Sequence, residues 1–514
     1  MKLSVLIREF PYFLNPISSD PEITGIVSDS RLVKPGNLFV ALVGGTTDGH
    51  RYISAAIEQG AGAIVGTQPA NYYKVPYLQV EDSRKALPHL AAAFHGFPGR
   101  KLIVIGVTGT DGKTTTTNLI YAILQAAGHK VGMISTINAV IGDQALDTGF
   151  HVTTPDAPDV QSYLAQMVNA GLTHVVLEVT SHGLAQHRVD ACEFDVAVIT
   201  NITHEHLDYH GSYESYRSAK ARLFAGLDST VPKPHGNPRL AVLNRDDTSF
   251  NYLSRASTGS ILSYGFHPDA NIRPEGIQYG DDGLSFDVIG MDLIFPCQCS
   301  LLGDFNISNC LAAISATVYA LGVSQAAAQG GIASLKGIPG RMERINLGQK
   351  FFAIVDFAHT PNALNVALKT ARQLTSGKVI AVFGAAGLRD QKKRRMMAET
   401  SHELADLTVL TAEDPRTEVL EDILAEMASG ATRKGGVEGK TFWRIPDRGD
   451  AIRFAITQAC PGDVVIACGK GHEQSMCFGE IEYAWDDRTA MRAALSQYLG
   501  IPGPQMPYLP TQDQ

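Results

Sequence analysis

The chain has 514 residues, 44% of them hydrophobic and 18% charged, with a formal net charge of −9. That length exceeds what one hydrophobic core fills, so about three domains are expected; no apolar run reaches bilayer length, and an acidic balance without a basic stripe argues against a nucleic-acid partner. Seven scattered cysteines, an odd number, fit buried thiols in a reducing compartment better than a disulfide framework. A cytoplasmic enzyme or binding protein acting on small molecules is left, with no membrane partner and a monomer as the expected assembly.

The opening stretch MKLSVLIREFPYFL is interrupted by Arg8 and Glu9 before it reaches signal-peptide length, and it reads as a helix of the first domain. From about residue 25 to 98, short β-like runs (NLFVAL, AGAIVG, YLQV) alternate with helical ones (ISAAIEQG, RKALPHLAAAFHG), giving a small α/β domain over 1–98. The alternation then becomes more regular. KLIVIGV, VGMIST, HVVLEV and FDVAVITNI are near-continuous apolar strands separated by the helices NLIYAILQAAG and VQSYLAQMVNAG, the pattern of a doubly wound, mostly parallel sheet over 99–338. That domain also takes in a hairpin-like region (SILSYGF, GLSFDVIG, LIFPCQCS) and the core helix NISNCLAAISATVYALG. GIPGRMER reads as a hinge. FFAIVDFA, VIAVFGAAG, LTVLTAED and DVVIACGKG are the strands of a third, Rossmann-like α/β domain over 339–500, and the tail 501–514 is expected to be loose.

The chemistry starts at IVIGVTGTDGKTTTTN, where a buried strand gives way to a helix. The strict phosphate-loop template places a glycine five residues before the Gly-Lys pair, and that position is Val107, with Gly106 and Gly109 on either side. The context still favours an anion, because successive backbone N–H groups and a helix N-terminus point to one place. Gly109 and Gly112 let the backbone approach phosphates, Lys113 adds a point charge, and the Thr114 hydroxyl suits magnesium. An ordinary strand-to-helix turn is the plainer reading. Glu178 closes HVVLEV, where a carboxylate faces the crevice of such a sheet, although capping residues also sit there. NITHEHLDYHGSYESYRSAK brings His204, His206, Asp208 and His210 into one loop, a density of metal-ligand types that is also common in solvated loops.

GTDGKTTTTN, TTPDAP, LEVTSHGLAQHRVD, NITHEHLDYHGSYESYRSAKARLF, LGDFNISN, GIPGRMERI, VDFAHTPNAL, EDPRTE and GKGHEQ together resemble the Mur ligase family. They are most similar to its members that add a third amino acid to the UDP-N-acetylmuramoyl-dipeptide of peptidoglycan. SDSRLVKPGNLFVALVGGTTDGH resembles the nucleotide-sugar domain of those members, so the likeness runs from about residue 1 to 500. The family's phosphate loop has the same shifted glycine spacing, which accounts for Val107.

The resemblance implies ATP-driven amide ligation. ATP phosphorylates the terminal carboxylate of UDP-N-acetylmuramoyl-L-alanyl-D-glutamate, the incoming amine attacks the acyl phosphate, and phosphate leaves. It assigns Gly109, Thr110, Asp111, Gly112, Lys113, Thr114 and Thr115 to ATP, with Asn306 at the adenine, and Arg341, Asp356 and His359 reaching ATP as the third domain closes about the hinge. Lys113, Glu178, His206 and Lys220 are implied as catalytic. Thr114, Glu178, His206 and Lys220 are implied to hold two magnesium ions, Lys220 as a carbamate (N6-carboxylysine) formed with CO2. Ser28 and Ser30 fall at the uridine diphosphate, and Thr153, Thr154, Ser181 and Arg188 at the muramoyl dipeptide, where the Arg188 fork suits a carboxylate. From the residues alone Lys220 is a surface lysine, Asn306 is equally a helix N-cap, and Asp356 and His359 are unremarkable strand-end residues.

For the amino acid, the resemblance points to Arg389, Asp414, Arg416, Gly469 and Glu473. Diaminopimelate-adding members usually read Asp-Asn-Pro-Arg in this region, whereas here Glu413, Asp414, Pro415 and Arg416 stand. Arg416, with Arg389, suits a distal carboxylate. Asp414 puts an anion where a neutral amide is expected, which suits the side-chain ammonium of lysine or ornithine. Diaminopimelate is favoured because a guanidinium placed for a carboxylate has no use with lysine. The alternatives are another ligase of the same family with a different substrate, a regulatory ATPase that has lost ligation, and a plain phosphotransferase.

Overall fold

The computed structural model describes residues 1–10, 12–44, 47–69, 73–146, 153–203, 207–280 and 283–513. The chain forms two compact units: one of Met1–Glu275, Val288–Phe295 and Ser308–Ile332, the other of Gly276–Asp287, Pro296–Ile307 and Ala333–Gln514.

The first unit opens with a small parallel sheet of Gly25–Val27 (β1), Asn37–Val40 (β2), Ala63–Gly66 (β3) and Tyr77–Gln79 (β4), in that order. Helix Ser83–Phe94 (α1) packs on it, and Asp82 caps that helix by accepting from the Arg84 and Lys85 N–H groups. Leu38, Val40, Val65, Leu78, Leu87 and Leu90 share one core. The expected N-terminal helix is shorter than the apolar run suggests: Leu3–Leu6 is α-helical and Ile7–Glu9 a 3-10 turn.

The larger sheet of this unit contains Ile103–Thr108 (β5), Val131–Ile134 (β6), Ala139–Ile141 (β7), Gln144–Leu146 (β8), His174–Glu178 (β9), Val196–Ile199 (β10), Leu240–Asn244 (β11) and Ser260–Tyr264 (β12). They lie in the order β8-β7-β6-β9-β5-β10-β11-β12. All are parallel from β6 to β12, with β7 and β8 as an antiparallel edge. β5, β9 and β10 are buried at every position, as their unbroken apolar runs lead one to expect. The passage from β9 to β10 crosses β5, so β5 stands where the strand order reverses, the place at which such sheets bind ligands beyond their carboxyl ends. Helices Lys113–Ala126 (α2), Ala157–Asn169 (α3) and Tyr213–Ala225 (α4) complete the layers. Val160 and Leu164 of α3 and Tyr216 and Phe224 of α4 share a core with Val104, Leu177 and Ala197.

In the second unit Glu343–Ile345 (β13), Phe352–Asp356 (β14), Val379–Phe383 (β15), Leu407–Leu410 (β16), Phe442–Arg444 (β17) and Val464–Cys468 (β18) lie in the order β13-β14-β18-β15-β16-β17. Only β13 runs antiparallel to its neighbour. Successive side chains alternate between two cores, the reason both faces must be apolar: Ile354, Ala381, Leu410 and Ile466 meet helices Pro361–Gln373 (α5), Gln391–Leu404 (α6) and Leu420–Arg433 (α7), while Val355, Val382, Val409 and Val465 meet Arg448–Gln458 (α8) and Asp487–Leu499 (α9). The hairpin Ser475–Phe478 (β19) and Ile481–Ala484 (β20) follows β18.

The tail departs from its expected looseness. Leu509 is fully buried in the core with α8 and α9, and the Thr511 hydroxyl donates to Asp447 Oδ2 at 2.8 Å. Met506 packs against the same core, so turn-forming residues hid an apolar anchor. All seven cysteines are free thiols, five of them buried.

Candidate active site

The turn after β5 is built so that only glycine fits twice. Gly109 has φ +154°, and a Cβ on it would lie 1.8 Å from Thr200 Oγ1; Gly112 has φ +80° and would put a Cβ 2.5 Å from Asn309 Oδ1. Asn201, just beyond β10, accepts from Thr110 N through its carbonyl at 2.8 Å and from Asp111 N through Oδ1 at 2.9 Å. The Thr200 hydroxyl donates to Asp111 O at 2.6 Å. The loop is thus pinned to the neighbouring strand from Gly109 to Gly112, and Lys113 opens α2 with its Nζ donating to Thr110 O at 2.9 Å. Thr115 is buried two residues further along the helix.

Thr114 and Glu178 meet at the ends of α2 and β9. The Thr114 hydroxyl lies 3.1 and 3.0 Å from Glu178 Oε1 and Oε2, and Oε2 also accepts from Thr136 N at 3.1 Å. Glu178 is 2% exposed, a carboxylate held by oriented donors at the end of a buried strand. This oxygen-rich pair fits a hard cation such as magnesium. Among the described residues no three carboxylate, imidazole or thiol side chains converge as a metal cluster. His206 and His204 lie outside the described residues, as does the side chain of Asp208. His210 is described: its Nε2 is 3.1 Å from Ser181 Oγ.

Lys220 is not a surface lysine. It is 1% exposed on α4, its Nζ donating to Gly109 O at 2.7 Å and lying 4.6 Å from the centre of the Tyr216 ring. The Tyr216 hydroxyl in turn is 2.9 Å from Thr110 Oγ1. α4 therefore sends its buried face under the glycine turn, which no surface-helix pattern revealed.

A polar chain leads away from Glu178. Thr154 Oγ1 donates to Glu178 O at 3.2 Å and accepts from Thr180 N at 3.0 Å; Arg188 NH1 donates to Thr154 O at 2.7 Å. Arg188 also forks onto Gln186 Oε1 and faces Asp156 at 3.2 Å. Thr154, Ser181 and Arg188 thus stand near the phosphate-loop cluster through Glu178 and Thr180. Thr153 precedes Thr154, half-buried. Ser28 and Ser30 follow β1 on either side of Asp29, and no hydrogen bond among the described residues joins them to this cluster.

In the second unit Arg341, Asp356 and His359 gather at the carboxyl end of β14. Asp356 Oδ2 accepts from Met342 N at 2.7 Å and Oδ1 from Ala358 N at 2.9 Å. Desolvation raises its carboxyl above the ordinary range, against the pull of the Arg341 guanidinium. Arg341 stacks over the Phe357 ring at 4.4 Å, and the exposed His359 rests on the same ring at 4.6 Å. Asn306 is no N-cap: the helix Phe305–Ile314 begins before it, and its Nδ2 donates to Leu302 O at 2.7 Å.

The five residues expected at the amino acid lie on three loops at strand ends. Arg389 is exposed on the loop after β15; Asp414 and Arg416 follow β16 with φ +41° and +55°; Gly469 and Glu473 follow β18. Asp414 does not stand as an open anion. Lys470 Nζ lies 2.9 Å from its Oδ1 and 2.6 Å from Glu473 Oε2, and Cys477 N donates to the same Asp414 oxygen at 2.9 Å. Burial opposes the Lys470 charge, but Glu473 and Asp414 beside it outweigh burial and hold the ammonium protonated. Gly469 has φ +111°, and a Cβ there would lie 2.3 Å from Glu413 Oε2. Glu413 is buried, and desolvation pushes its carboxyl up to about 8, with Arg448 and Lys470 pulling it down.

Lys470 and the fully buried Arg448 went unassigned at the level of sequence. Arg448 bridges Asp487 (2.7 and 2.6 Å), Ala412 O (3.1 Å) and Cys468 O (2.8 Å), so it ties the ends of β16 and β18 together. Lys470 lies inside GKGHEQ, the one signal that pointed to it.

Three family matches agree with this architecture: Mur ligase family, catalytic domain over 22–95; Mur ligase middle domain over 107–317; and Mur ligase, glutamate ligase domain over 340–471. The chain is 43% identical over 513 residues to a UDP-N-acetylmuramyl-tripeptide synthetase of Roseiflexus sp. (strain RS-1), with 98% of this chain and 100% of the relative covered. It is 41% identical over 497 residues to a UDP-N-acetylmuramoyl-L-alanyl-D-glutamate–2,6-diaminopimelate ligase of Geobacillus thermodenitrificans (strain NG80-2), covering 97% and 100%. A solved structure of a protein described as UDP-N-acetylmuramoyl-L-alanyl-D-glutamate–2,6-diaminopimelate ligase superposes with a TM-score of 0.65 at 31% identity, covering 93% of this chain and 95% of that one.

Proposed function

This chain belongs to the Mur ligase family, and we propose that it joins a diamino acid, meso-diaminopimelate, to UDP-N-acetylmuramoyl-L-alanyl-D-glutamate at the expense of ATP. The observation that carries the reading is the buried assembly of Gly109, Thr114, Glu178 and Lys220 at the carboxyl ends of β5 and β9 in a chain matched over its length by ligases. In the reaction, an oxygen of the dipeptide's terminal carboxylate attacks the γ-phosphorus and ADP leaves. The amine of the diamino acid then attacks the acyl carbon, and the C–O bond to phosphate breaks as the amide forms.

No side-chain nucleophile is required; the work of the site is to bring together anions that repel one another. The N–H groups at the start of α2, from Gly112 to Thr114, receive phosphate oxygens, and the loop before them is already fixed because the Thr110 and Asp111 N–H groups are bound to Asn201. Lys113 offsets their charge. Magnesium would be held by Thr114 and Glu178, with His206 as a further ligand, and it neutralises charge on the oxygens of the transferring phosphoryl group. Lys220, as a carbamate made by adding CO2 to its neutral amine with loss of a proton, would change a cation beside these ligands into an anion. Asn306, Arg341, Asp356 and His359 are read as ATP contacts, and Ser28, Ser30, Thr153, Thr154, Ser181 and Arg188 as contacts to the nucleotide-sugar dipeptide.

For the amino acid, Lys470 lies against Asp414 as well as Glu473, which weakens the charge argument for lysine or ornithine. Arg389 and Arg416 remain as cations for a distal carboxylate. The enzyme is read as a cytoplasmic monomer with small-molecule substrates; no helix among the described residues is long and apolar enough to cross a membrane. The test is incubation with ATP, magnesium and the UDP-dipeptide, offering diaminopimelate, lysine and ornithine separately. A product whose mass equals the dipeptide plus diaminopimelate less water is expected. No product with any of the three, or product with lysine alone, overturns the reading.

A further inference from the structure

The loops that carry Arg389 and Arg416 are tied to each other by a charged triad that the reaction itself does not use. Arg394, on α6, is 2% exposed. Its NH2 lies 2.8 Å from Glu418 Oε2 and 3.4 Å from Ala386 O, and its NH1 lies 3.1 Å from Glu426 Oε2 on α7. The other Glu418 oxygen accepts from the backbone N–H of Leu388. One carboxylate therefore grips the loop one residue before Arg389 while standing two residues after Arg416.

The two backbones are locked at a second point. Gly387 N donates to Asp414 O at 2.9 Å, and a Cβ on Gly387 would lie 2.0 Å from Pro415 O, so nothing larger than glycine permits the approach. Glu418 N donates back to Pro415 O at 3.2 Å. Leu388 and Arg416 both hold positive φ, +57° and +55°, a conformation that non-glycine residues keep only when their surroundings impose it. Arg416 is further pinned by its N–H to Cys477 O at 3.1 Å and its carbonyl to Gly479 N at 2.7 Å. Arg416 and the residue before Arg389 thus stand on constrained backbone, and the spacing between the two loops is set by Glu418 together with the Gly387–Asp414 contact.

We propose that Glu418 and Arg394 are positioning residues of the amino-acid site: they hold Arg389 and Arg416 at the spacing that grips a distal carboxylate, and so set selectivity for an amino acid that carries one. This rests on the assignment of those arginines to the amino acid made above. Arg394 fixes Glu418 in place because removing the buried guanidinium would leave Glu418 and Glu426 without the cation that lies between them, and a planar fork loses grip with small displacements.

The test compares wild type, Glu418→Ala, Glu418→Gln and Arg394→Lys in steady-state ligation, with unfolding midpoints measured alongside. In Glu418→Ala the KM for diaminopimelate should rise about tenfold or more, with KM for ATP and for the UDP-dipeptide unchanged and kcat within about twofold. Glu418→Gln, which keeps an acceptor for Leu388 N, should recover part of the loss, and the preference for diaminopimelate over lysine should fall in both. If the alanine variant does not fold, the glutamine and lysine variants carry the same expectation at smaller amplitude. An unchanged KM for diaminopimelate, or a parallel rise in all three KM values, overturns the proposal. Wild-type enzyme that makes no diaminopimelate product overturns instead the reading on which it rests.

Discussion

Replacing Glu413 with glutamine should flatten the stability of the second unit against pH. Glu413 is 7% exposed at the end of β16, and desolvation raises its carboxyl from 4.5 to about 8. Between those values the unfolded chain has lost the proton that the folded chain retains, so stability is full below about pH 4.5 and falls as pH rises through 8. At 1.36 kcal/mol per unit, a shift of about 3.5 units corresponds to about 5 kcal/mol above pH 8 and about 3 kcal/mol at pH 7. Glutamine keeps the shape without the titration. Both tryptophans of the chain, Trp443 and Trp485, lie in this unit, so urea unfolding followed by tryptophan fluorescence reports on it directly. The variant should match wild type near pH 5 and be more stable by about 3 kcal/mol at pH 7, because the other groups titrate alike in both. Parallel pH profiles would refute the burial argument.

Three further substitutions separate parts of the account. Lys220→Ala should lower turnover by at least about a hundredfold, with added bicarbonate giving no recovery; steady-state ligation rates check this, and near-normal activity would remove Lys220 from the site. Gly109→Ala places a Cβ 1.8 Å from Thr200 Oγ1, so ATP affinity measured by calorimetry should weaken by about tenfold or more, about 1.4 kcal/mol. Leu509→Ala should cost about 2–5 kcal/mol in urea unfolding, whereas a loose tail would lose almost nothing.

Much of the layout was legible in the sequence because fully buried parallel strands write themselves as unbroken apolar runs: IVIGVT, HVVLE, VAVI and VVIAC all became interior strands. The glycine turn before Lys113 was legible for a related reason, since Gly109 and Gly112 meet contacts that no Cβ tolerates. Burial of charge was not legible. Lys220 and Lys470 look like surface residues by type, and only the fold brings Gly109 O to one ammonium and two carboxylates to the other. For the same reason Asp414 read as an anion awaiting a substrate, although its partner lies 56 residues along the chain. Leu509 was missed because the few apolar residues of the tail, spaced among prolines and polar groups, carry no periodicity.

The central claim is that the dipeptide's carboxylate is phosphorylated before the amide forms. With UDP-N-acetylmuramoyl-L-alanyl-D-glutamate labelled with 18O in its terminal carboxylate, the inorganic phosphate released during ligation of diaminopimelate should carry one 18O atom, read by mass spectrometry. Amide product accompanied by unlabelled phosphate would contradict the account.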